Sequence, residues 1–152
     1  QPKFYNQIRG QHGHRYADLT QDPMFAFGEG LSYTTIDYSD LTISNPTVTA
    51  SDVLHATVKL TNSGSRPALE TVQVYVSDLV TSVTWADKEL KTYKQVWVEP
   101  GQCVNVELSL PVADCTLVDA HGHRVVEPGE FNLLVGHLSL IHISEPTRFA
   151  QR

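Results

Sequence analysis

The sequence predicts an all-β protein, an antiparallel β-sandwich that follows an extended N-terminal linker. From Thr34 onward, short apolar runs alternate with polar residues in a two-residue period. Turn residues interrupt these runs roughly every eight to twelve residues. No amphipathic helix pattern of useful length occurs. From this pattern alone, an immunoglobulin-like sandwich and a small barrel both remain open.

Length and composition indicate one domain with flanking segments. A chain of 152 residues with 41% hydrophobic content can bury the core of one domain of roughly 100 residues. Asp and Glu outnumber Lys and Arg by 17 to 11, which disfavours nucleic acid and anionic membranes as partners. No apolar stretch has the length of a transmembrane helix. Cys103 and Cys115 are too few for a disulfide framework, so we expect both to be free and buried as small apolar residues.

Residues 1–33 are expected to form an extended connection. They are dense in Gly, Pro, Asn, Gln and His and show no sustained apolar period. Their aromatic residues are too many for a solvated flexible linker: Phe4, Tyr5, Tyr16, Phe25, Phe27 and Tyr33. We therefore expect this segment to lie against a surface.

The first predicted strands lie between Ile36 and Val76. A strand from Ile36 to Ile43 contains a slip in its alternation. The next strand alternates cleanly and predicts a sheet with one wet face, with its apolar positions at Leu54, Ala56, Val58 and Leu60. After the turn cluster at 62–68, a further strand alternates at Val72, Val74 and Val76.

A longer loop, Leu79 to Asp87, precedes the remaining strands. We predict strands at 90–98 and 104–110, the second ended by Pro111 because proline has no N–H to donate. Two short runs at 117–118 and 125–126 flank a turn. The last predicted strand has an inward face formed by Phe131, Leu133 and Val135.

Two stretches resemble a known family. FAFGEGLSYTTIDYSDL at 25–41 and KELKTYKQVWVEPGQ at 88–102 are similar to the C-terminal end of family 3 glycoside hydrolases, the retaining β-glucosidase group. The resemblance implies a fibronectin type III-like sandwich at 34–137 and, at 1–33, a linker from the catalytic body. Ala26 and Glu29 replace the Pro and His of the family motif PFGHGLSYT, which leaves the packing of that turn open.

The resemblance also implies a function. This chain would be an accessory domain that stabilises the enzyme and shapes one rim of its substrate pocket. The parent enzyme would hydrolyse terminal β-linked glucose or a related sugar without a metal or organic cofactor. Its partners would be the catalytic body of the same polypeptide and the carbohydrate substrate. The compartment, cytoplasmic or secreted, remains open.

No catalytic residue is assigned in this chain. A retaining glycosidase needs two carboxyl groups about 5 to 5.5 Å apart, and neither family motif for them is visible here, so we expect the fragment to be inactive. One alternative is a free-standing carbohydrate-binding or adhesion sandwich, which would leave the aromatic linker without a surface to cover. Another is a structural spacer without effect on catalysis.

Two tryptophans are the binding candidates. Trp85 lies in the long loop, where it could contact substrate or pack against the catalytic body. We select Trp85 as the substrate-binding candidate. Trp97 lies between Val96 and Val98 and should point outward if those two point inward. Its alternatives are a sugar contact and a cross-strand contact on the sheet surface.

Metal and nucleotide sites are not expected. HGH occurs at 12–14 and at 121–123, but such a pair supplies two ligands and a structural zinc site needs four. The second triplet falls in a predicted hairpin turn at 119–124. The GEG at 28–30 precedes a strand and not a helix, so it does not match a nucleotide-binding loop.

The last fifteen residues have a different origin in our interpretation. LSLIHISEPTR at 138–148 resembles the translation of a sequencing adapter. We therefore treat 138–152 as foreign to the fold and expect its deletion to leave stability unchanged.

Overall fold

The computed structural model describes residues 30–137 and 140–149, and within 140–149 Thr147 is the one residue whose side chain is described. Within these described residues, a short 3-10 helix, Val112–Asp114, accompanies ten strands. The strands are β1 (Ile36–Ile43), β2 (Thr47–Val48), β3 (Val53–Asn62), β4 (Ala68–Asp78), β5 (Glu89–Val98), β6 (Cys103–Pro111), β7 (Leu117–Val118), β8 (Arg124–Val125), β9 (Gly129–His137) and β10 (Leu140–Phe149).

Two sheets form the sandwich. One has the order β1-β3-β6 and is antiparallel throughout. The other has the order β2-β10-β9-β4-β5 and is antiparallel except where β2 meets β10. Strands β7 and β8 form a separate small hairpin. The all-β sandwich predicted from the sequence is confirmed.

The core lies between the two sheets and follows the predicted alternation. The four predicted inward positions of β3, Leu54, Ala56, Val58 and Leu60, are all buried, and Val58 and Leu60 are completely so. From the opposite sheet, β9 contributes Phe131, Leu133 and Val135, which are at most 4% exposed. These residues join one continuous hydrophobic cluster, so the predicted inward faces are confirmed.

The slip in the alternation of β1 is a β-bulge. The register with β3 shifts between Ser39 and Thr42. Asp40 lies at the shift with a φ of 52°, a left-handed conformation that a short polar side chain tolerates. The extra residue turns Leu41 inward, where it is 7% exposed.

The predicted strand ends and turns agree with the structure. Strand β6 ends at Pro111. The turn after Val118 closes with Gly122 at a φ of 83°, a conformation that favours glycine. His121 and His123 are exposed in this turn.

The two cysteines differ. Both are free, as expected, and Cys115 is buried, but Cys103 is exposed. The expectation that both are buried is therefore wrong for Cys103. This residue lies on the edge strand β6 opposite Thr61, on the face of the sheet that points away from the core.

Residues 140–149 form a strand that the sequence did not predict. Strand β10 pairs with β9 from Leu140 to Phe149, with one register shift. The hydrogen bonds of such a strand pair join backbone N–H and C=O groups, so the pairing depends little on which side chains the strand carries. The foreign origin of 138–152 stays a prediction.

Several expectations concern residues outside the described part of the chain. These are the course of the linker up to residue 29, the first HGH triplet and most of the GEG turn. Within the described part, no helix is long and apolar enough to span a membrane.

Candidate functional site

Hydrogen bonds fix the loop between β4 and β5, residues 79–88, at its base and near its middle. Ser77 Oγ donates to the carbonyl of Asp87 at 2.7 Å. The backbone N–H of Ser82 donates to Glu127 Oε2 at 3.0 Å, and its hydroxyl also bonds the Glu127 carboxylate. These contacts attach the loop to the segment before β9. The side chain of Val80 remains 82% exposed.

Trp85 is half-buried in this loop. Its indole N–H donates to Glu89 Oε2 at 2.9 Å. The same carboxylate oxygen lies 3.1 Å from Lys91 Nζ. The indole orientation is therefore set by a charge-assisted hydrogen bond at the start of β5.

A small cavity of about 20 Å³ lies beside Trp85, between Phe131, Cys115 and Lys91. A cavity of this size accommodates one water molecule. Burial raises the pKa of the Cys115 thiol to about 12, although the nearby Lys91 opposes the shift. The thiol is therefore neutral at physiological pH and acts as a small apolar residue.

Trp97 lies on the opposite side of β5 from the core. Val98 is completely buried, whereas the Trp97 side chain is 54% exposed. Its indole N–H donates to Glu99 Oε1 at 2.7 Å. The outward orientation predicted from the alternation is confirmed. Trp97 pairs directly with Leu69 on β4, which is 55% exposed.

Asn62 is a buried hydrogen-bonding centre that the sequence did not identify. Its Oδ1 accepts from Thr34 Oγ1 at 2.7 Å and from the Gly64 N–H at 3.1 Å. Its Nδ2 donates to the carbonyls of Arg66 at 2.8 Å and Val98 at 3.0 Å. The amide thus uses all its hydrogen-bonding groups to join the start of β1, the β3–β4 turn and the end of β5.

Gly64 packs directly against the residues before β1. A Cβ at this position would lie 2.1 Å from Thr34 Oγ1 and 2.9 Å from the backbone nitrogen of Thr35. The Ser63 N–H also donates to the Thr35 carbonyl at 3.0 Å. The chain therefore enters the sandwich along a fixed path.

An open groove of about 580 Å³ lies beside this path. Residues 30–37 form one wall, and the first half of β4 forms the other, with Leu69, Thr71 and Gln73 among its lining residues. His137 also lines it.

A polar cluster lies beside the groove. Tyr38 Oη donates to Glu70 Oε1 at 2.6 Å, and His137 Nδ1 lies 3.9 Å from the same oxygen. Burial, reinforced by the neighbouring Glu70, raises the pKa of Tyr38 far above its ordinary value. Tyr38 therefore stays protonated and donates to Glu70, which links β1 of one sheet to β4 of the other.

The turn that contains His121 and His123 is held in shape by Asp119. Asp119 Oδ1 accepts the backbone N–H groups of His121 at 2.8 Å and His123 at 2.9 Å. His123 Nδ1 lies 3.7 Å from Asp119 Oδ2. Among the described residues, no three His, Cys, Asp or Glu side chains group as a metal site would require.

Comparisons with known proteins cover most of the chain. Residues 70–139 match the family model of the fibronectin type III-like domain. A periplasmic β-glucosidase of Salmonella typhimurium is 33% identical over 122 residues, which are 80% of this chain and 16% of that protein. A β-xylosidase of Formosa agariphila is 36% identical over 135 residues, which are 89% of this chain and 18% of that protein.

A solved structure shares both sequence and fold with the chain. It is a β-glucosidase involved in saponin metabolism from intestinal bacteria, with 51% sequence identity and a TM-score of 0.87. The match covers 97% of this chain and 20% of that one. The chain thus spans only 16% to 20% of the length of these three proteins.

Proposed function

The chain belongs to the fibronectin type III-like domains of family 3 glycoside hydrolases, and from this premise we propose that it is an accessory domain of a β-glucosidase-like enzyme. Its role is to stabilise the catalytic body of the same polypeptide. The enzyme hydrolyses terminal β-glycosidic bonds of a carbohydrate substrate, and this domain supplies no catalytic residue.

One observation carries this proposal. The chain aligns over 80% to 97% of its own length with enzymes that act on β-glucosides or β-xylosides by name, while it spans at most 20% of theirs. A module that recurs as a fraction of larger glycosidases is best explained as a supporting part of such an enzyme. Since both β-glucosidases and a β-xylosidase are among the relatives, the catalytic body and not this domain determines which sugar the enzyme accepts.

A finer part of the proposal concerns the loop at 79–87, which we place at one rim of the substrate pocket with Trp85 as a substrate contact. The loop is fixed at its base, and Glu89 orients the indole of Trp85. A rigid aromatic side chain loses little conformational entropy when a sugar ring stacks on it. Partial burial of Trp85 supports packing against the neighbouring loop residues as its other role.

The test requires the intact enzyme, obtained by extending the coding sequence upstream of Gln1. The 152-residue chain should not hydrolyse an aryl β-glucoside above a buffer blank, whereas the intact enzyme should. Deletion of residues 34–137 from the intact enzyme should lower its melting temperature or its activity. Wild-type stability and kinetics after the deletion would reduce the domain to a spacer.

The rim is tested by two matched tryptophan variants in the intact enzyme. Trp85→Ala should raise KM severalfold, and Trp97→Ala should raise it less, because the loop and not the β5 surface borders the pocket. An unchanged KM in Trp85→Ala would leave packing as the role of this residue. Turnover of the glucoside by the isolated chain would contradict the accessory assignment itself.

A further inference from the structure

On the outer face of the five-stranded sheet, the outward residues of β4, β5 and β9 are uncharged apart from Glu130 at the start of β9. We name this surface the β4–β5–β9 face. The register of the three strands and the burial of their alternate residues define its uncharged members: Leu69, Thr71, Gln73, Tyr75, Ser77, Leu90, Tyr93, Gln95, Trp97, Asn132, Leu134 and Gly136.

Part of this face is apolar and exposed to solvent. Leu69, Tyr93 and Trp97 are 55%, 64% and 54% exposed. The cores of protein interfaces are depleted of charged residues and enriched in Tyr and Trp. Leu69 and Trp97 are direct cross-strand neighbours, and Tyr93 lies on the same face beyond the Thr71–Gln95 pair. An exposed patch of this kind marks an interaction surface.

The chain enters the sandwich at the edge of the same face. Leu31 lines the groove together with Leu69, and Leu31 and Tyr33 are 103% and 91% exposed. The Arg66 guanidinium lies 5.9 Å from the centre of the Tyr33 ring. The apolar surface therefore continues from β4 and β5 to the residues that connect the domain to whatever precedes Gly30.

The direction of the chain at this point is fixed. The Asn62 side chain holds Thr34, and the Gly64 backbone leaves no room for the chain to move toward the β3–β4 turn. A body that precedes this point in the chain is tethered to the domain at the edge of the β4–β5–β9 face. Tethering makes its contact with the face intramolecular, so a modest patch is enough to hold it.

We infer that the β4–β5–β9 face, with Leu31 and Tyr33 at its edge, is the surface on which the catalytic body of the same polypeptide docks. The inference rests on the proposed function, because it takes the catalytic body as its partner. The partner surface opposite Leu69, Tyr93 and Trp97 is apolar, since this end of the face offers aromatic rings, amides and hydroxyl groups. The charged groups lie elsewhere on the face: Glu130 is at the start of β9, and the Lys88 ammonium lies 5.8 Å from the centre of the Tyr75 ring.

Oxidative footprinting of the 152-residue chain and of the intact enzyme tests this docking. In the intact enzyme, the modification rates of Tyr93 and Trp97 should fall at least about fivefold, because residues in an interface core lose most of their contact with water. His55 is the control, since it is exposed on the outer face of the other sheet. Its modification rate should be the same in both proteins.

Charge substitutions supply a second measurement. Trp97→Lys and Leu69→Lys should lower the melting temperature of the intact enzyme or split its unfolding into two transitions. Val53→Lys, an equivalent change on the other sheet, should not. In the 152-residue chain all three variants should melt like the wild type, which shows that the substitutions do not disrupt the domain itself.

The outcomes separate the two proposals. An upstream region without a glycosidase body overturns the proposed function and with it the partner. An active enzyme in which Tyr93 and Trp97 are modified as fast as in the isolated chain overturns the docking face alone. Protection in the isolated chain that rises with its concentration assigns the face to a second copy, and protection by a β-linked gluco-oligosaccharide assigns it to carbohydrate. Either result contradicts docking of the catalytic body.

Discussion

The outer faces of the two sheets differ in composition although their inner faces share one core. On the three-stranded sheet, the outward positions of β3 are Val53, His55, Thr57, Lys59 and Thr61. Lys59 lies 3.4 Å from Asp40 across the sheet, and β6 adds Asn105, Glu107 and Ser109. On the β4–β5–β9 face, aromatic, aliphatic and uncharged polar side chains take these positions, and Glu130 at the start of β9 is charged. One face is suited to water and the other to a covering surface.

The difference shows that side chains exposed on an isolated domain fall into two classes, those that face water in the whole protein and those that contact a partner surface. A solvated face carries charges that keep its hydration favourable, and its occasional apolar residue needs no explanation. An exposed Trp, Tyr and Leu on one face, with no charged residue among them, have the composition of an interface core. This contrast supports docking of the β4–β5–β9 face, and the following four predictions test the contrast from the largest expected effect to the smallest.

The first prediction concerns the shared core. Phe131→Ala on the five-stranded sheet should lower the free energy of unfolding by about 3 to 5 kcal/mol, and Leu108→Ala on the three-stranded sheet by about 2 to 5 kcal/mol. Both side chains are buried in the same cluster. Urea melts of the two variants, with Gln95→Ala as a surface control, measure these losses. A loss below about 1 kcal/mol for either variant would place that inner face in water.

The second prediction concerns the link between the sheets. Asn62→Ala should cost about 2 to 3 kcal/mol, because it leaves the buried Val98 carbonyl and the partly buried Arg66 carbonyl and Gly64 N–H without their partner. Asn62 ends β3, yet its amide donates to the carbonyl of Val98 on β5. Thermal or urea unfolding measures the cost, with the exposed Ser63→Ala as control. Equal stability of the two variants would show that the network does not hold the sheets together.

The third prediction concerns β10, whose sequence we interpret as foreign. Thr147 is 2% exposed, and its hydroxyl has no hydrogen-bond partner among the described residues. Thr147→Val should therefore raise the free energy of unfolding by about 1 kcal/mol, since it removes an unsatisfied buried hydroxyl at nearly constant volume. A destabilised Thr147→Val variant would indicate that the hydroxyl is satisfied. Deletion of 138–152 in the same assay tests whether the segment contributes to stability at all.

The fourth prediction concerns the outer faces themselves. In the isolated chain, Trp97→Lys and Val53→Lys should each change the free energy of unfolding by less than about 0.5 kcal/mol, because both positions contact water. The contrast between the faces should emerge only in the intact enzyme. A large loss for Trp97→Lys in the isolated chain would mean that its pairing with Leu69 stabilises the domain directly, and that the exposed indole needs no partner.

Much of the fold could be read from the sequence because it depends on neighbours in the chain. The alternation in β3 and β9 identified the buried residues, and the slip in β1 corresponded to a bulge at Asp40. Proline after Leu110 ended β6. Each of these features follows from the two-residue period of a strand or from the backbone of one residue type.

Only part of the candidate site could be predicted from the sequence. The outward orientation of Trp97 followed from its neighbours Val96 and Val98, but its pairing with Leu69 required the register between β4 and β5. Asn62 lies in a stretch that indicates a turn, since Asn and Gly are common there. Its burial depends on four segments that meet around one amide, and no local pattern encodes that meeting.

The sequence by itself determined the fold class, the inward residues of each strand and the membership of a glycosidase family. The tertiary structure decided which outward residues share a face, where the chain enters the sandwich and that Cys103 is exposed. The physical reason is that alternation and turn chemistry act between adjacent residues. Sheet order and register, in contrast, join residues far apart in the chain, so only the folded molecule determines the composition of each surface.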